Sequence, residues 1–551
     1  MPPLLVIGLD GATLDLVEPW AAAGVLPHLG ALMARGAWAR LRSTLPAATF
    51  PAWTSLVTGV NPGRHGVLDF TERVPGTYRL RLVNRTHRRV PALWNHLDAA
   101  GRRTAVLTVP GTYPPEPIDG VMVSGWDSPL ATGIDGSFVH PRGFYAEIRR
   151  LIGRLPFADF QEVATGAGWH GRALASLLDG VKRRTALAAA LLRRERWDAL
   201  MVVFGESDTV AHHFWRFHDP RSPRHEPGRH ADAVRRVYVA CDAAVGALVA
   251  AAPADAVVAV VSDHGSGGAG DRVVHLNRRL ADAGLLAFRP GARPGMLGLV
   301  RGAALRAVPP RAQGALVRRV PGLAGRIEGR HRYGAVDWRR TVAFSDELDY
   351  HPSVWINLRG REPEGTVAPA AYAAARERAA AVLASWRDEQ GRAVVSRVWR
   401  REDVYHGACV GRAPDLLLEL AEQDGYRPSC LPSGGPGPAL RRLLPAERGA
   451  GKGAGMDGSH RREGLIVLAG PGVRAAGELP AAEITDVLPT LLALAGLAVP
   501  AGLDGRPLGA ALARPARFAA AAPGPPPPVP QDLDHTAARE ITARLAALGY
   551  L

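Results

Sequence analysis

ALMVVFGESDTVAHHFW, residues 199–215, changes character at Gly205. Before the glycine lies an unbroken apolar run, the pattern of a strand covered on both faces of a parallel sheet. After it come acid, hydroxyl and imidazole side chains, with Asp208 and His212 four residues apart. That spacing puts both on one face of a helix. A buried strand leading into polar, chemistry-bearing residues is the unit of an α/β fold, whose sites lie at the carboxyl ends of the strands.

Four other runs read the same way as ALMVVFGESD (199–208): LLVIGLD (4–10), RTAVLTVPG (103–111), AVVAVVSDHG (256–265) and GLIVLAGPG (464–472). Each is a continuous apolar run closed by Gly, Asp or Pro, and each predicts a parallel strand. Long Ala/Leu-rich amphipathic stretches at 171–199 and 231–252 supply the helices between them. Residues about 290–400 are richer in Arg, Pro and Gly, with a helix-like stretch at 370–389, and read as an insertion or cap in a core spanning 1–515. A Pro-rich linker follows over 516–532, and an amphipathic helix over 533–551. The final helix is expected to dock on the body or to meet a partner.

The 551 residues suffice for a large buried core, and 47% hydrophobic with 22% charged residues fits a globular protein. The formal charge is +15, yet only Lys182 and Lys452 are lysines, so nearly all the basic residues are arginine. They are scattered rather than gathered in a stripe, so no specific nucleic-acid binding is expected. A positive field that draws in a small anionic substrate fits better. Cys241, Cys409 and Cys430 form no CxxC pair and argue against a disulfide framework. The first apolar run stops at Asp10, too short for a secretory core, and no stretch approaches the ~20 apolar residues of a membrane helix. These features predict a cytoplasmic protein with no membrane span. They are compatible with a homo-oligomer.

Three strands end in acid or imidazole: Asp10 in GLDGA, Asp208 and His212 after Gly205, Asp263 and His264 in SDHG. Singly, each has a plain reading as a turn or a surface pair. Together, brought to one sheet edge, they form a mixed Asp/His set without cysteine, suited to zinc, manganese or iron. Two ions about 4 Å apart use all the ligands and clamp the attacking and leaving oxygens of a displacement. His460, just before the last strand-like run, offers a further ligand. In TLPAATFPAWTSLVTG (44–59), Pro51 fits the first turn of a helix, and Phe50 before it is pushed toward extended backbone. Thr49 then sits at the helix mouth, where an anion is favoured. Thr54, inside the helix, is expected to bond back to a carbonyl.

GLDGA, TFPAWTSLVTGVNPGRHGV, GESDTVAHHFW, SDHG, GSHRREGLIVLAGPGV and ITDVLPTLLALAGL follow one another in an order that resembles the alkaline phosphatase superfamily, in its type I phosphodiesterase and nucleotide pyrophosphatase branch. The resemblance covers roughly residues 4–510. It implies a three-layer α/β/α core with a mainly parallel sheet plus an inserted cap. It implies a phosphoester hydrolase, more a phosphodiesterase than a phosphomonoesterase, in which Thr49 attacks phosphorus and carries a covalent phosphoryl or nucleotidyl group. Asp10, Thr49, Asp263 and His264 would hold one zinc, and Asp208, His212 and His460 the other. Three aspartates and an alkoxide balance the charge of two divalent cations, which suits an anionic phosphate.

One residue departs from the pattern. Phe70 stands where nucleotide pyrophosphatases carry an asparagine that contacts the phosphoryl oxygen. That contact is then expected from the Phe50 amide, Arg64 or Arg461, with Phe70 lining the pocket or the core. Asp486 reads as a helix cap and His65 as a supporting residue. Sulfatases need a modified residue in CxPxR, which CLPSGG at 430–435 does not supply. A non-catalytic metal-binding scaffold is the alternative from another class.

Overall fold

The computed structural model describes residues 2–125, 136–153, 168–291, 333, 335–444, 447–448 and 455–520. The expected linker, apart from its first residues, and the expected C-terminal helix lie outside the described residues. A ten-stranded sheet forms the centre. Its order is Gly477–Glu478, Ala37–Arg42, Glu463–Ala469, Val257–Val261, Leu4–Leu9, Ala199–Phe204, Thr104–Val109, Gly120–Ser124 and Val139–His140, with Ala482–Glu483 also pairing on Ala37–Arg42. Leu4–Leu9 runs parallel to both its neighbours. So does Thr104–Val109.

The apolar runs are continuous because the central strands are covered twice. Side chains alternate between the faces of a strand. Leu5, Ile7 and Leu9 enter one apolar layer with helices Trp169–Arg194 and Ala233–Ala251. Leu4 and Val6 enter the other, with helices Thr49–Thr58 and Val487–Leu494. The result is the expected three-layer α/β/α core. One strand corrects the sequence reading: Glu463–Ala469 is antiparallel to both Val257–Val261 and Ala37–Arg42. Its apolar run reports burial on both faces, and burial does not encode direction.

The cap region is a second, smaller unit. Ala343–Phe344, Ser353–Ile356 and Val395–Arg400 form a four-stranded antiparallel sheet with Leu416–Leu420, in the order Ala343–Phe344, Ser353–Ile356, Leu416–Leu420, Val395–Arg400. Helix Tyr372–Ala384 packs on it. Its separate apolar core also takes in Leu276 and Leu280, so the unit extends beyond 290–400 at both ends. The long strand Gly265–Val274 joins core and cap. Its start pairs with Gly458–Arg461, and its end with Arg427–Cys430 and Leu440–Arg442. Among the described residues, no helix is long and apolar enough to cross a membrane.

Helix Glu206–His218 is fixed to its neighbour by charge. Arg184 Nη1 donates to both carboxylate oxygens of Glu206 at 2.6 Å, in a pair whose side chains are 3% and 4% exposed. A buried pair broken on one side leaves an uncompensated charge. Arg184→Met is therefore expected to cost about 3–5 kcal/mol in urea unfolding, and the double substitution Arg184→Met/Glu206→Met to recover most of that loss.

Candidate active site

Asp10 follows strand Leu4–Leu9, and Asp263 and His264 follow Val257–Val261 next to it. Asp208 and His212 lie one turn apart on helix Glu206–His218, which follows the other neighbour, Ala199–Phe204. Three adjacent parallel strands thus deliver five of the groups. His460 comes from strand Gly458–Arg461, opposite Ser266 of Gly265–Val274. Thr49 is the first residue of helix Thr49–Thr58. All seven residues are buried.

The three imidazoles are held alike. His212 Nδ1 lies 3.1 Å from the Gly458 carbonyl, His264 Nδ1 3.1 Å from that of Gly265, and His460 Nδ1 2.6 Å from that of Ala47. A carbonyl only accepts, so each Nδ1 carries the proton and each Nε2 presents a lone pair. His212 Nε2 and His460 Nε2 then face each other at 3.0 Å, both within reach of Asp208 Oδ1 at 3.0 and 3.4 Å. Burial pushes His460 down to about 4, so at neutral pH its own ring is uncharged. Two lone pairs and a carboxylate oxygen aimed at one point suit a cation.

The second group meets at His264 Nε2. Asp263 Oδ2 is 3.3 Å away, Thr49 Oγ1 3.4 Å and Asp10 Oδ1 3.6 Å. Asp263 Oδ2 is buried and accepts no hydrogen bond among the described residues. Burial, and then the charge of Asp10, push the Asp263 carboxyl well up, whereas burial and then His460 push His264 well down. Two carboxylates side by side in a dry site ionise together only with positive charge between them. Ligand atoms of Asp208, His264 and His460, and likewise of Asp10, Asp263 and His264, lie within 4.8 Å of one another. The donors are oxygen and imidazole nitrogen without sulfur, so the residues present fit divalent metal ions.

Close packing sets this geometry. Gly11 has φ +64°, and its N–H donates to Asp263 Oδ1 at 3.3 Å. A Cβ there would lie 2.9 Å from both Asp208 Oδ1 and Ser266 Oγ. At Gly458 a Cβ would lie 2.2 Å from the Ala211 carbonyl, so only glycine lets the His460 strand approach the His212 helix. Trp53 Nε1 donates to Asp10 Oδ2 at 3.0 Å. The sequence reading missed Trp53, although its place one turn after Thr49 was a usable signal. It also missed Tyr350, whose ring stacks on His460 at 4.2 Å and 20°. Nothing in local spacing pointed to Tyr350.

Several supporting expectations meet the structure directly. Phe50 is helical, not extended: the extended residue is Ala48 (φ −122°, ψ 141°), and Phe50 and Pro51 complete the first turn. Proline fits there because the first four N–H groups have no intrahelical acceptor, and this outweighs the pre-proline bias. Thr54 Oγ1 does bond back, to the Phe50 carbonyl at 2.7 Å. Phe70 is core, with its ring 4.4 Å from that of Phe50. Arg64 is not brought to the cluster, because it pairs with Asp504 and the Gly502 carbonyl. Arg461 is not brought there either. Successive strand side chains point to opposite faces, so with His460 inward Arg461 turns outward, to Glu422 and the carbonyls of Gly268 and Gly425. Asp486 stands at the N-cap position of helix Val487–Leu494 without a side-chain bond to it; its carboxylate accepts from Glu483 N–H of the turn before and from Arg506 N–H.

His65 supports the Thr49 helix. Val67 N–H donates to its Nδ1 at 3.1 Å, leaving Nε2–H for Ser55 Oγ at 2.9 Å. Burial, then Arg88, lowers His65 to about 3.

Two predictions follow from this packing. Gly11→Ala adds about 1–2 kcal/mol of left-handed strain and pushes on Asp208, so the variant is expected to retain less divalent metal per chain after dialysis, read by elemental analysis. For His65 the native ring stays neutral while the unfolded ring binds a proton below about pH 6.5. Its contribution is therefore complete above that pH and is lost as pH falls toward 3. The stability gap between wild type and His65→Gln is expected to narrow by about 1.4 kcal/mol per unit between pH 6.5 and 4.5, read by urea unfolding.

Comparison with known proteins bears on the same residues. The chain is 36% identical over 69 residues to human ectonucleotide pyrophosphatase/phosphodiesterase family member 1, which is 12% of this chain and 7% of that protein. It is 26% identical over 99 residues to mouse family member 3, covering 17% of this chain and 11% of that protein. The matches thus span about a tenth or less of these relatives' lengths. Human ectonucleotide pyrophosphatase/phosphodiesterase 5 superposes with a TM-score of 0.46 at 12% identity, over 90% of this chain and 96% of that one. An inactive murine form of the same protein in complex with AMP gives 0.47 at 12% identity, over 91% and 96%. The family model described as type I phosphodiesterase/nucleotide pyrophosphatase matches residues 4–428, which takes in all of the cluster except His460. By that match, and as its motif order implied, the chain belongs to the type I phosphodiesterase/nucleotide pyrophosphatase family.

Proposed function

We propose that this protein is a two-metal phosphoester hydrolase of the phosphodiesterase type, with Thr49 as its nucleophile. One observation carries the reading. A threonine hydroxyl at a helix N-terminus lies against a buried set of three aspartates and three imidazoles whose Nε2 lone pairs are turned inward. Asp208, His212 and His460 would hold one ion, and Asp10, Asp263, His264 and Thr49 the other. Zinc is our assignment, since it accepts mixed imidazole and carboxylate ligands. When bound, two such ions supply positive charge to the attacking and leaving oxygens of a displacement at phosphorus.

The chain's own residues do the rest. The Thr49 hydroxyl gives up its proton as Oγ1 attacks phosphorus, the bond to the leaving oxygen breaks and that oxygen takes up a proton to depart as the alcohol, and a phosphorylated or nucleotidylated threonine forms. Water then hydrolyses it and restores the hydroxyl. The first amides of the Thr49–Thr58 helix favour the negative charge that builds on the phosphoryl oxygens. Trp53 keeps the Asp10 carboxylate in place. Burial of the whole cluster excludes bulk water, which strengthens every charge interaction within it.

The substrate is a small anionic phosphoester, and a diester is favoured. Arg64 and Arg461 have carboxylate and carbonyl partners of their own, so neither supplies the extra cation that a dianionic monoester asks for. The three described cysteines are free and buried, which supports a reducing, cytoplasmic setting. The deciding measurement compares kcat/KM for bis-nitrophenyl phosphate and nitrophenyl phosphate on zinc-loaded protein. A diester preference is expected, and Thr49→Ala is expected to lose at least about 1,000-fold on both. Full activity in Thr49→Ala would overturn the reading. Equal, negligible rates in both proteins would leave the scaffold.

A further inference from the structure

Tyr350 comes from the cap, yet its ring lies against two imidazoles of the cluster. It stacks on His460 at 4.2 Å and 20°, and it meets His212 at 5.6 Å and a steep 61°. His264 covers the other face of His460 at 3.8 Å and 23°. The His460 ring is therefore clamped between an imidazole and a phenol. Tyr350 is held in turn by the strands that carry the site. Just before it, Asp349 Oδ1 accepts from the Cys430 N–H at 2.7 Å, and Arg427 Nη2 donates to the Asp349 carbonyl at 3.1 Å. Strand Arg427–Cys430 pairs with Gly265–Val274, and so does the His460 strand Gly458–Arg461. The Tyr350 O–H donates to Met456 Sδ at 3.2 Å, a weak acceptor on the segment leading to His460.

An imidazole that gives its Nε2 lone pair to a cation becomes electropositive. His264 and His460 would both do so, and their stacked rings would then repel each other. The face of an aromatic ring carries the negative part of its quadrupole, so it attracts an electropositive ring laid on it. That attraction is larger with the ion bound than without it, and so it favours the bound state. An aliphatic side chain of similar bulk would also pack on His460, but it would not tell the two states apart. Both imidazoles that Tyr350 meets belong to one ligand set, with Asp208. Trp53 acts on the other set, through its hydrogen bond to Asp10.

We propose that Tyr350 is a positioning residue that selectively tightens the ion held by Asp208, His212 and His460, through its aromatic face rather than its hydroxyl. The inference rests on the two-metal reading of the site. It makes the cap, which supplies none of the seven ligands, a determinant of metal occupancy.

The test uses full-length zinc-loaded protein as wild type, Tyr350→Phe, Tyr350→Leu and a form of Tyr350→Phe whose ring is fully fluorinated. Fluorination keeps the shape of the ring and inverts the charge on its face, so this variant stays informative if Tyr350→Leu does not fold. Each protein is challenged with a graded chelator series, and zinc retained per chain is read by elemental analysis. His212→Ala and Asp263→Ala identify which release step belongs to which ion. Tyr350→Phe is expected to stay within about twofold of wild type at both steps. Tyr350→Leu and the fluorinated ring are expected to release the His212/His460 ion at a free-zinc level about tenfold higher, with the other step moved less than about twofold. Retention within about twofold of wild type at both steps in the fluorinated variant would overturn the proposal. So would equal weakening of both steps, which marks a ring that only packs, or a loss in Tyr350→Phe as large as in Tyr350→Leu. A wild type with no His212/His460 step would overturn this proposal and the two-metal reading together. Two release steps without hydrolysis of bis-nitrophenyl phosphate would sink the hydrolase reading alone, and the chelator series would still decide the role of Tyr350.

Discussion

Three buried carboxylates crowded against three imidazole lone pairs repel one another, and the structure is organised around holding them together. No apolar side chain relieves that repulsion. The main chain does the holding, with carbonyls of Ala47, Gly458 and Gly265 fixing the three rings and the Gly11 amide fixing Asp263. The groups stay close because they stand on elements that cannot retreat. Two apolar layers press the central strands from either side, and the buried Arg184–Glu206 pair secures the helix that carries Asp208 and His212. Stability built elsewhere holds groups together at one sheet edge that a bound cation would suit.

Division of labour between core and cap follows from this arrangement. The core supplies Asp10, Thr49, Asp208, His212, Asp263 and His264. The cap supplies the Tyr350 ring, from a segment more than a hundred residues from any of them except Asp263 and His264. Tyr350 meets the cluster by stacking on the His460 ring, so the cap touches a group whose other ring face packs against His264 at 3.8 Å. Cap position and ligand position are thereby linked through three stacked rings.

Much of this was legible in the sequence for physical reasons. Strands buried on both faces are written as unbroken apolar runs, and charged residues ending such runs are too costly to be incidental. That is why Asp10, Asp208, His212, Asp263 and His264 could be named from pattern alone. What failed was information that the pattern does not contain. Apolar content reports coverage and not direction, so Glu463–Ala469 was read as parallel. A local bias before proline yielded to the free N–H groups of a helix start, so Phe50 was read as extended. Arg64 and Arg461 were chosen for charge, but charge does not say which face of an element a side chain takes. Tyr350 reaches the site only through the folding of the cap, which no short-range spacing records.

Strand Gly458–Arg461 pairs with Gly265–Val274 so that His460 faces inward and Arg461 outward. A slip of one residue would exchange them and put a guanidinium where an imidazole lone pair belongs. On the proposed two-metal reading, a wrongly registered chain would lack a ligand, whereas a correctly registered one would gain the binding free energy on folding. Metal uptake would then favour the correct strand register, at the junction where core and cap meet.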